Sequence, residues 1–160
     1  MTLMQAVDAA LSAGVGAAVA VLQAGSPILV ECSGRASVDG PAITPRTRFR
    51  VCSLTKQFTC ALILDLAEEG RLSLDDAVLR WLPDLPHAAA ITLRQLCANQ
   101  SGLRDYWALA MLCGAKADDR FRRPDAEAMI RLCGLHFAPG EAFSYSNTNF
   151  ALLGWIAERA

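Results

Sequence analysis

Two lysines, two histidines and two tyrosines are all that this 160-residue chain holds of three residue types that often move protons or bind metals. The scarcity excludes a good deal. No G-x-S-x-G occurs, and neither His87 nor His136 sits in a catalytic-looking context, so a Ser-His-Asp hydrolase is unsupported. None of the six cysteines forms a C-x-x-C pair, so a zinc site is not expected, and no other metal or cofactor is expected either. Net charge is −1 and thirteen of the fifteen basic residues are scattered or loop arginines, which leaves no electrostatic footprint for nucleic acid. Only Arg120-Phe121-Arg122-Arg123 clusters, and it reads as a solvated loop between two helices. The apolar stretch from Val15 to Leu22 is too short to span a bilayer. No basic residue precedes Arg35, so the positive region of a secretory signal is missing and a cytoplasmic product is expected. The cysteines sit mostly in apolar helical surroundings, as free thiols packing like small hydrophobes do in a reducing compartment.

What remains is a globular chain of one domain's length, 53% hydrophobic and 19% charged. One of the two lysines stands in a chemically suggestive place. Ser53-Leu54-Thr55-Lys56 is an S-x-x-K, and in a helix its two polar side chains leave one face about a turn apart. The run from Leu54 to Glu69, closed by Gly70, is apolar nearly all round, so a buried helix is expected. A lysine in the first turn of a buried helix needs a partner. Burial and the positive helix end would both disfavour its charge and bring it towards a usable base. About 90 residues on, Tyr145-Ser146-Asn147 supplies a phenol and an amide. Taken singly, each has a plainer reading: Ser53 and Asn147 as helix caps, Lys56 as a solvated charge, Tyr145 as a half-buried loop tyrosine.

S-x-x-K at the head of a buried helix, with Tyr145-x-Asn147 downstream, resembles the serine β-lactamase and penicillin-binding-protein superfamily. The Y-x-N form resembles its class C β-lactamase, D-aminopeptidase and esterase branch. Thr47 to Ser53, Leu66 to Asp76, Ile91 to Leu96, Ser101-Gly102-Leu103, Pro139-Gly140 and Leu152-Leu153-Gly154 fit the same pattern in the same order. Cys97 to Trp107 is most similar to the D-stereospecific aminopeptidases, with Asn99 and Gln100 where other branches carry histidine and threonine.

The resemblance implies an α+β, β-lactamase/transpeptidase-like fold. Residues 1–51 would form an N-terminal helix and a hairpin of an antiparallel sheet, and 52–160 a helical region carrying both motifs. It also implies acyl transfer through a serine ester. Ser53 would be the nucleophile, Lys56 would be the general base or share that role with Tyr145, and Asn147 would hydrogen-bond the substrate amide. The backbone N–H of Ser53 would form half of an oxyanion hole. A small peptide or amide is the implied substrate, with neither nucleic acid nor membrane as partner and a homodimer of the full-length protein left open. A β-lactamase, DD-carboxypeptidase or esterase, and a non-enzymatic remnant or binding module, are the alternatives. The family's third motif, a Lys or His followed one residue later by Gly, does not occur in the 160 residues. An N-terminal portion of a catalytic domain, weakly active and poorly stable alone, is therefore expected.

Local patterns fill in the rest. Val15 to Gln23 and Ile28 to Gly34 read as strands around a turn at Ala24-Gly25-Ser26-Pro27. Ser73-Leu74-Asp75-Asp76 reads as the start of a helix running to about Leu82 before Pro83. Further helices are expected from Thr92, from Asp105 to Cys113, from Pro124 to Cys133 and from Thr148 onward. Trp107 is a candidate to border the cleft.

Overall fold

The computed structural model describes residues 3–11, 16–116 and 119–160. They group into two compact units, 1–51 and 52–160.

In the first unit, helix α1 (Leu3–Leu11) precedes strands β1 (Ala17–Gln23) and β2 (Ser26–Ser33). The strands pair antiparallel, from Ala17 opposite Ser33 to Gln23 opposite Ser26. The turn is tighter than the four residues expected. Only Ala24 and Gly25 form it, both in the left-handed region at φ 49° and 79°, which matches the twist of a two-residue hairpin. Ser26 and Pro27 already belong to β2. The register slips between Val21 and Leu22, and Pro27 lies opposite Leu22 beside that irregularity, where a missing N–H is tolerated. Val15, the expected first strand residue, lies outside the described residues. Val7 and Ile43 are buried, whereas Leu22, Ile28 and Val30 are exposed.

The second unit is helical. Cys52–Leu54 is a single 3₁₀ turn leading into α2 (Thr55–Glu68). There follow α3 (Leu93–Cys97), α4 (Tyr106–Leu112), α5 (Arg123–Leu132) and α6 (Asn147–Ala157). Helix α6 is the centre: it packs on α2, α3 and α4, with Leu152, Leu153 and Ile156 fully buried. Ile63 and Leu66 of α2, Leu93 and Leu96 of α3, and Val78 and Ile91 complete this core. Each such side chain contributes on the order of 1.5–3 kcal/mol of apolar burial. The caps follow the sequence: Thr92 and Gln95 form a reciprocal capping box on α3, and Asp105 caps α4.

Two expectations are corrected. The helix from Ser73 to Leu82 does not form. Its capping signal is real, since the Ser73 N–H donates to Asp76 Oδ2 at 2.9 Å. But Ala77 bridges antiparallel to Thr92, and the Val78 N–H donates to the Ile91 carbonyl at 2.8 Å, so the chain turns extended. Only a 3₁₀ turn at Val78–Arg80 remains. Helix α2, expected to be buried, buries only Ile63 and Leu66, while Phe58 is 72% exposed and Leu62 and Leu64 about half exposed. Its apolar composition is as read, but among the described residues only the face on α6 is covered. Among the described residues no helix is long and apolar enough to cross a membrane.

Candidate active site

The four residues singled out in the sequence come together at the head of α2. Ser53 sits in the 3₁₀ turn and Lys56 one turn on, and Lys56 Nζ donates to Ser53 Oγ at 3.1 Å. The hydroxyls of Ser53 and Tyr145 lie 2.7 Å apart. Lys56 Nζ also donates to Asn147 Oδ1 at 2.7 Å. The ammonium lies 4.8 Å from the Tyr145 ring centroid and 5.3 Å from that of Phe150, so aromatic faces line the rest of its surroundings. Lys56 is half-buried rather than deeply buried, because the surrounding part of α2 is open.

Cys52, immediately before Ser53, has φ 44°. A side-chain-bearing residue in the left-handed region is strained, and such strain is retained where neighbouring structure holds a side chain in place.

The Tyr145 loop is held by non-local hydrogen bonds. Asn99, itself left-handed at φ 55°, takes the Ser144 N–H on its carbonyl at 2.9 Å. Its side-chain oxygen accepts from the Ser146 N–H and from Asn149 Nδ2, each at 3.1 Å. Asn149 is fully buried, and Ser101 Oγ donates to its oxygen at 2.5 Å. On the other side, Asp105 Oδ2 accepts from the Asn147 N–H at 3.0 Å and from Asn147 Nδ2 at 2.8 Å. Thr148 Oγ1 donates to the Arg104 carbonyl at 2.7 Å and accepts from the Tyr106 N–H at 2.9 Å.

Asp105 and Phe150 are site neighbours that sequence reasoning missed. Asp105 was readable only as the start of a helix; the partners of its Oδ2 lie 42 residues away and carry no local signal. Phe150 looked like any apolar residue of α6. Trp107, a candidate to border the cleft, packs edge-on against Phe121 with ring centroids 5.0 Å apart. The cleft beside Tyr145 holds about 190 Å³ and is lined by Arg104, Ala108, Leu109, Leu112 and His136.

Electrostatics favour an acidic phenol. Burial alone would push Tyr145 up, and Asp105 pushes the same way. Hydrogen bonding from Lys56 and Ser53, together with the lysine charge, outweighs both and holds Tyr145 below the ordinary phenol range. Cys97 moves the other way: burial, then its neighbour Cys60, push its thiol up to about 12.

A hydroxyl, an amine, a phenol and an amide are thus gathered at one helix head, in a chain whose family the comparisons with known proteins show. The chain belongs to it: the family model described as Beta-lactamase matches residues 4–160. Within that family, the chain is 45% identical over 148 residues to the D-aminopeptidase of Brucella anthropi, covering 91% of this chain and 28% of the relative. The D-aminopeptidase of Brucella melitensis biotype 1 is 43% identical over the same share of both chains. Among solved structures, the D-amino acid amidase of Ochrobactrum anthropi SV3 complexed with L-phenylalanine amide superposes with a TM-score of 0.83 at 27% identity. That match covers 99% of this chain and 45% of the amidase. A D-stereospecific amidohydrolase from Streptomyces sp. matches with a TM-score of 0.72 at 32% identity, covering 97% of this chain and 47% of that one. A class C β-lactamase in complex with cefoxitin matches with a TM-score of 0.76 at 26% identity, covering 98% and 42%. The fold is thus the expected α+β, β-lactamase/transpeptidase-like one. The chain spans about a quarter of the length of the curated relatives it matches and under half of the solved ones.

Proposed function

We propose that this chain carries the acyl-transfer centre of a serine hydrolase of the D-aminopeptidase type, acting on a small peptide or amide. The observation that supports it best is the shared position of the Ser53 hydroxyl, 2.7 Å from the Tyr145 phenol and 3.1 Å from the Lys56 amine. Ser53 Oγ attacks the amide carbonyl carbon and gives up its proton to the Lys56–Tyr145 pair, which titrates as a unit. The same pair returns a proton to the departing amine, leaving an ester on Ser53. Water then attacks the ester carbonyl, giving up a proton to the pair, which passes it to Ser53 Oγ as the ester C–O bond breaks and the acid product leaves. Asn147 Oδ1 keeps Lys56 in place, and the remaining Nδ2–H of Asn147 is free to meet the substrate carbonyl. The Ser53 N–H is one donor to the developing oxyanion.

Identity at 45% to a D-aminopeptidase favours that substrate class over a β-lactam, for which the support is structural likeness at 26%. Six free cysteines suit a reducing, cytoplasmic setting.

Incubating the chain with D-alanine p-nitroanilide, nitrocefin and p-nitrophenyl butyrate, followed by intact-mass and peptide analysis, tests the reading. The expected result is an acyl adduct on Ser53 that Ser53→Ala abolishes, with the D-alanine amide preferred. Adducts that persist in Ser53→Ala would overturn it.

A further inference from the structure

Beside the site, Asp105 has both carboxylate oxygens fully engaged, and they do separate things. Oδ1 caps α4, accepting from the Trp107 and Ala108 N–H groups at 2.8 and 3.2 Å. An N-cap needs no more than that. Oδ2 has no task in α4 and instead holds both the main-chain N–H and the side-chain Nδ2 of Asn147. One carboxylate therefore closes the first turns of α4 and α6 and grips a side-chain amide between them.

That grip has a chemical consequence. The amide of Asn147 can present either its oxygen or its NH₂ to Lys56. A lysine ammonium only donates and an ionised carboxylate only accepts. With Asp105 on one side and Lys56 on the other, a single orientation satisfies both: Nδ2 to Asp105 and Oδ1 to Lys56. The flipped amide would set donor against donor and acceptor against acceptor. We infer that Asp105 is a positioning residue for acyl transfer, locking the Asn147 amide with its oxygen on Lys56 and so holding the lysine against the Ser53 hydroxyl. The inference rests on the acyl-transfer reading above.

Two substitutions separate this role from plain helix capping. Asp105→Ser keeps a good N-cap for α4 but withdraws the second oxygen. Asp105→Asn keeps an oxygen for the cap and turns an NH₂ towards the Asn147 amide. The exchange Asp105→Asn with Asn147→Asp restores the side-chain half of the match: the new amide donates to the new carboxylate, whose other oxygen accepts from Lys56, while the main-chain N–H of residue 147 is left without its acceptor.

The measurement is the rate of Ser53 acylation by p-nitrophenyl acetate, read as the p-nitrophenol burst and the mass of the adduct, with thermal unfolding alongside. Both single variants are expected to acylate about a hundredfold more slowly, the scale of a misplaced catalytic group. Their unfolding midpoints are expected to fall only modestly, by the loss of the acceptor for the Asn147 N–H, with the folded state still populated at assay temperature. The exchange is expected to regain at least about tenfold over Asp105→Asn, which capping alone cannot produce. Parent-like acylation in Asp105→Asn overturns the inference while leaving the acyl-transfer reading intact. If Asp105→Ser fails to fold, Asp105→Asn decides. A parent chain that Ser53→Ala matches in labelling overturns the reading itself, and the inference with it.

Discussion

Tyr145 and Tyr106 are the only tyrosines, and their surroundings drive them apart. Lys56 and Ser53 pull the phenol of Tyr145 below its ordinary range against the effect of its burial, whereas burial and then the Asp105 charge raise that of Tyr106. An ordinary phenol titrates near about 10. The phenolate absorbance should therefore rise in two steps, one below that value from Tyr145 and one above it from Tyr106. Tyr145→Phe should remove the lower step alone, and Lys56→Met should move it upward, because the ammonium that favours the phenolate is gone. Arg104 and His136 line the same cleft and remain unchanged in both variants. A single merged step in the parent would contradict this arrangement. The sign matters for chemistry: a phenol that ionises early is a better proton acceptor near neutral pH, which suits a group sharing a proton with Lys56.

At the level of elements, the Ser101-Gly102-Leu103 segment shows what was legible in the sequence and what was not. Ser53 and Lys56 could be read together because one helical turn links them, and Tyr145 and Asn147 because their types carry chemistry. The helix starts at Thr92 and Asp105 and the helix end near Cys113 were equally readable, since local chemistry decides them. The 3₁₀ turn after Ser73 was not, because a bridge to Thr92 overrides a sound capping signal. Nor was the hold of Asn99 on Ser146, which spans 47 residues. Gly102 belongs to this second kind. It has φ +76°, and a Cβ built on it would lie 2.1 Å from the Phe137 carbonyl oxygen. Its own carbonyl accepts the His136 N–H at 2.7 Å, so this segment and the one before Tyr145 run in contact. Gly114, at φ +95°, has nothing within 4 Å of such a Cβ. Gly114→Ala should then cost only the left-handed backbone penalty, about 1–2 kcal/mol. Gly102→Ala should cost clearly more, upward of about 3 kcal/mol, since backbone must move as well. It should also slow Ser53 acylation, because the displaced Phe137 segment leads to Tyr145. Denaturant midpoints of the two variants decide it; equal losses would mean the close approach does not exist.

Across the whole molecule, stability is unevenly spread, and the reason lies in which residues reach a core. No described residue of β1 or β2 is buried: small residues alternate on β1, and Leu22, Ile28 and Val30 stay exposed. A two-stranded hairpin with so little covered apolar surface is marginal in water. Helix α6, by contrast, buries Thr148, Asn149, Leu152, Leu153 and Ile156. Its backbone opens only when the core of Ile63, Leu93 and Leu96 opens with it. The site inherits this difference, for Ser53, Lys56, Tyr145 and Asn147 all stand on the stable helical unit. Amide hydrogen exchange should follow the same division. The N–H groups of Leu152, Leu153 and Ile156 should be protected at least about a hundredfold beyond those of Val19 and Val21, a gap of roughly 2.7 kcal/mol in opening free energy. Urea should release the hairpin first, so that hairpin and helical probes give separate midpoints rather than one shared transition. Coincident midpoints with equal protection in strands and α6 would show instead that the hairpin is stabilised as strongly as the helical core, and that the exposed Leu22, Ile28 and Val30 do not govern its opening.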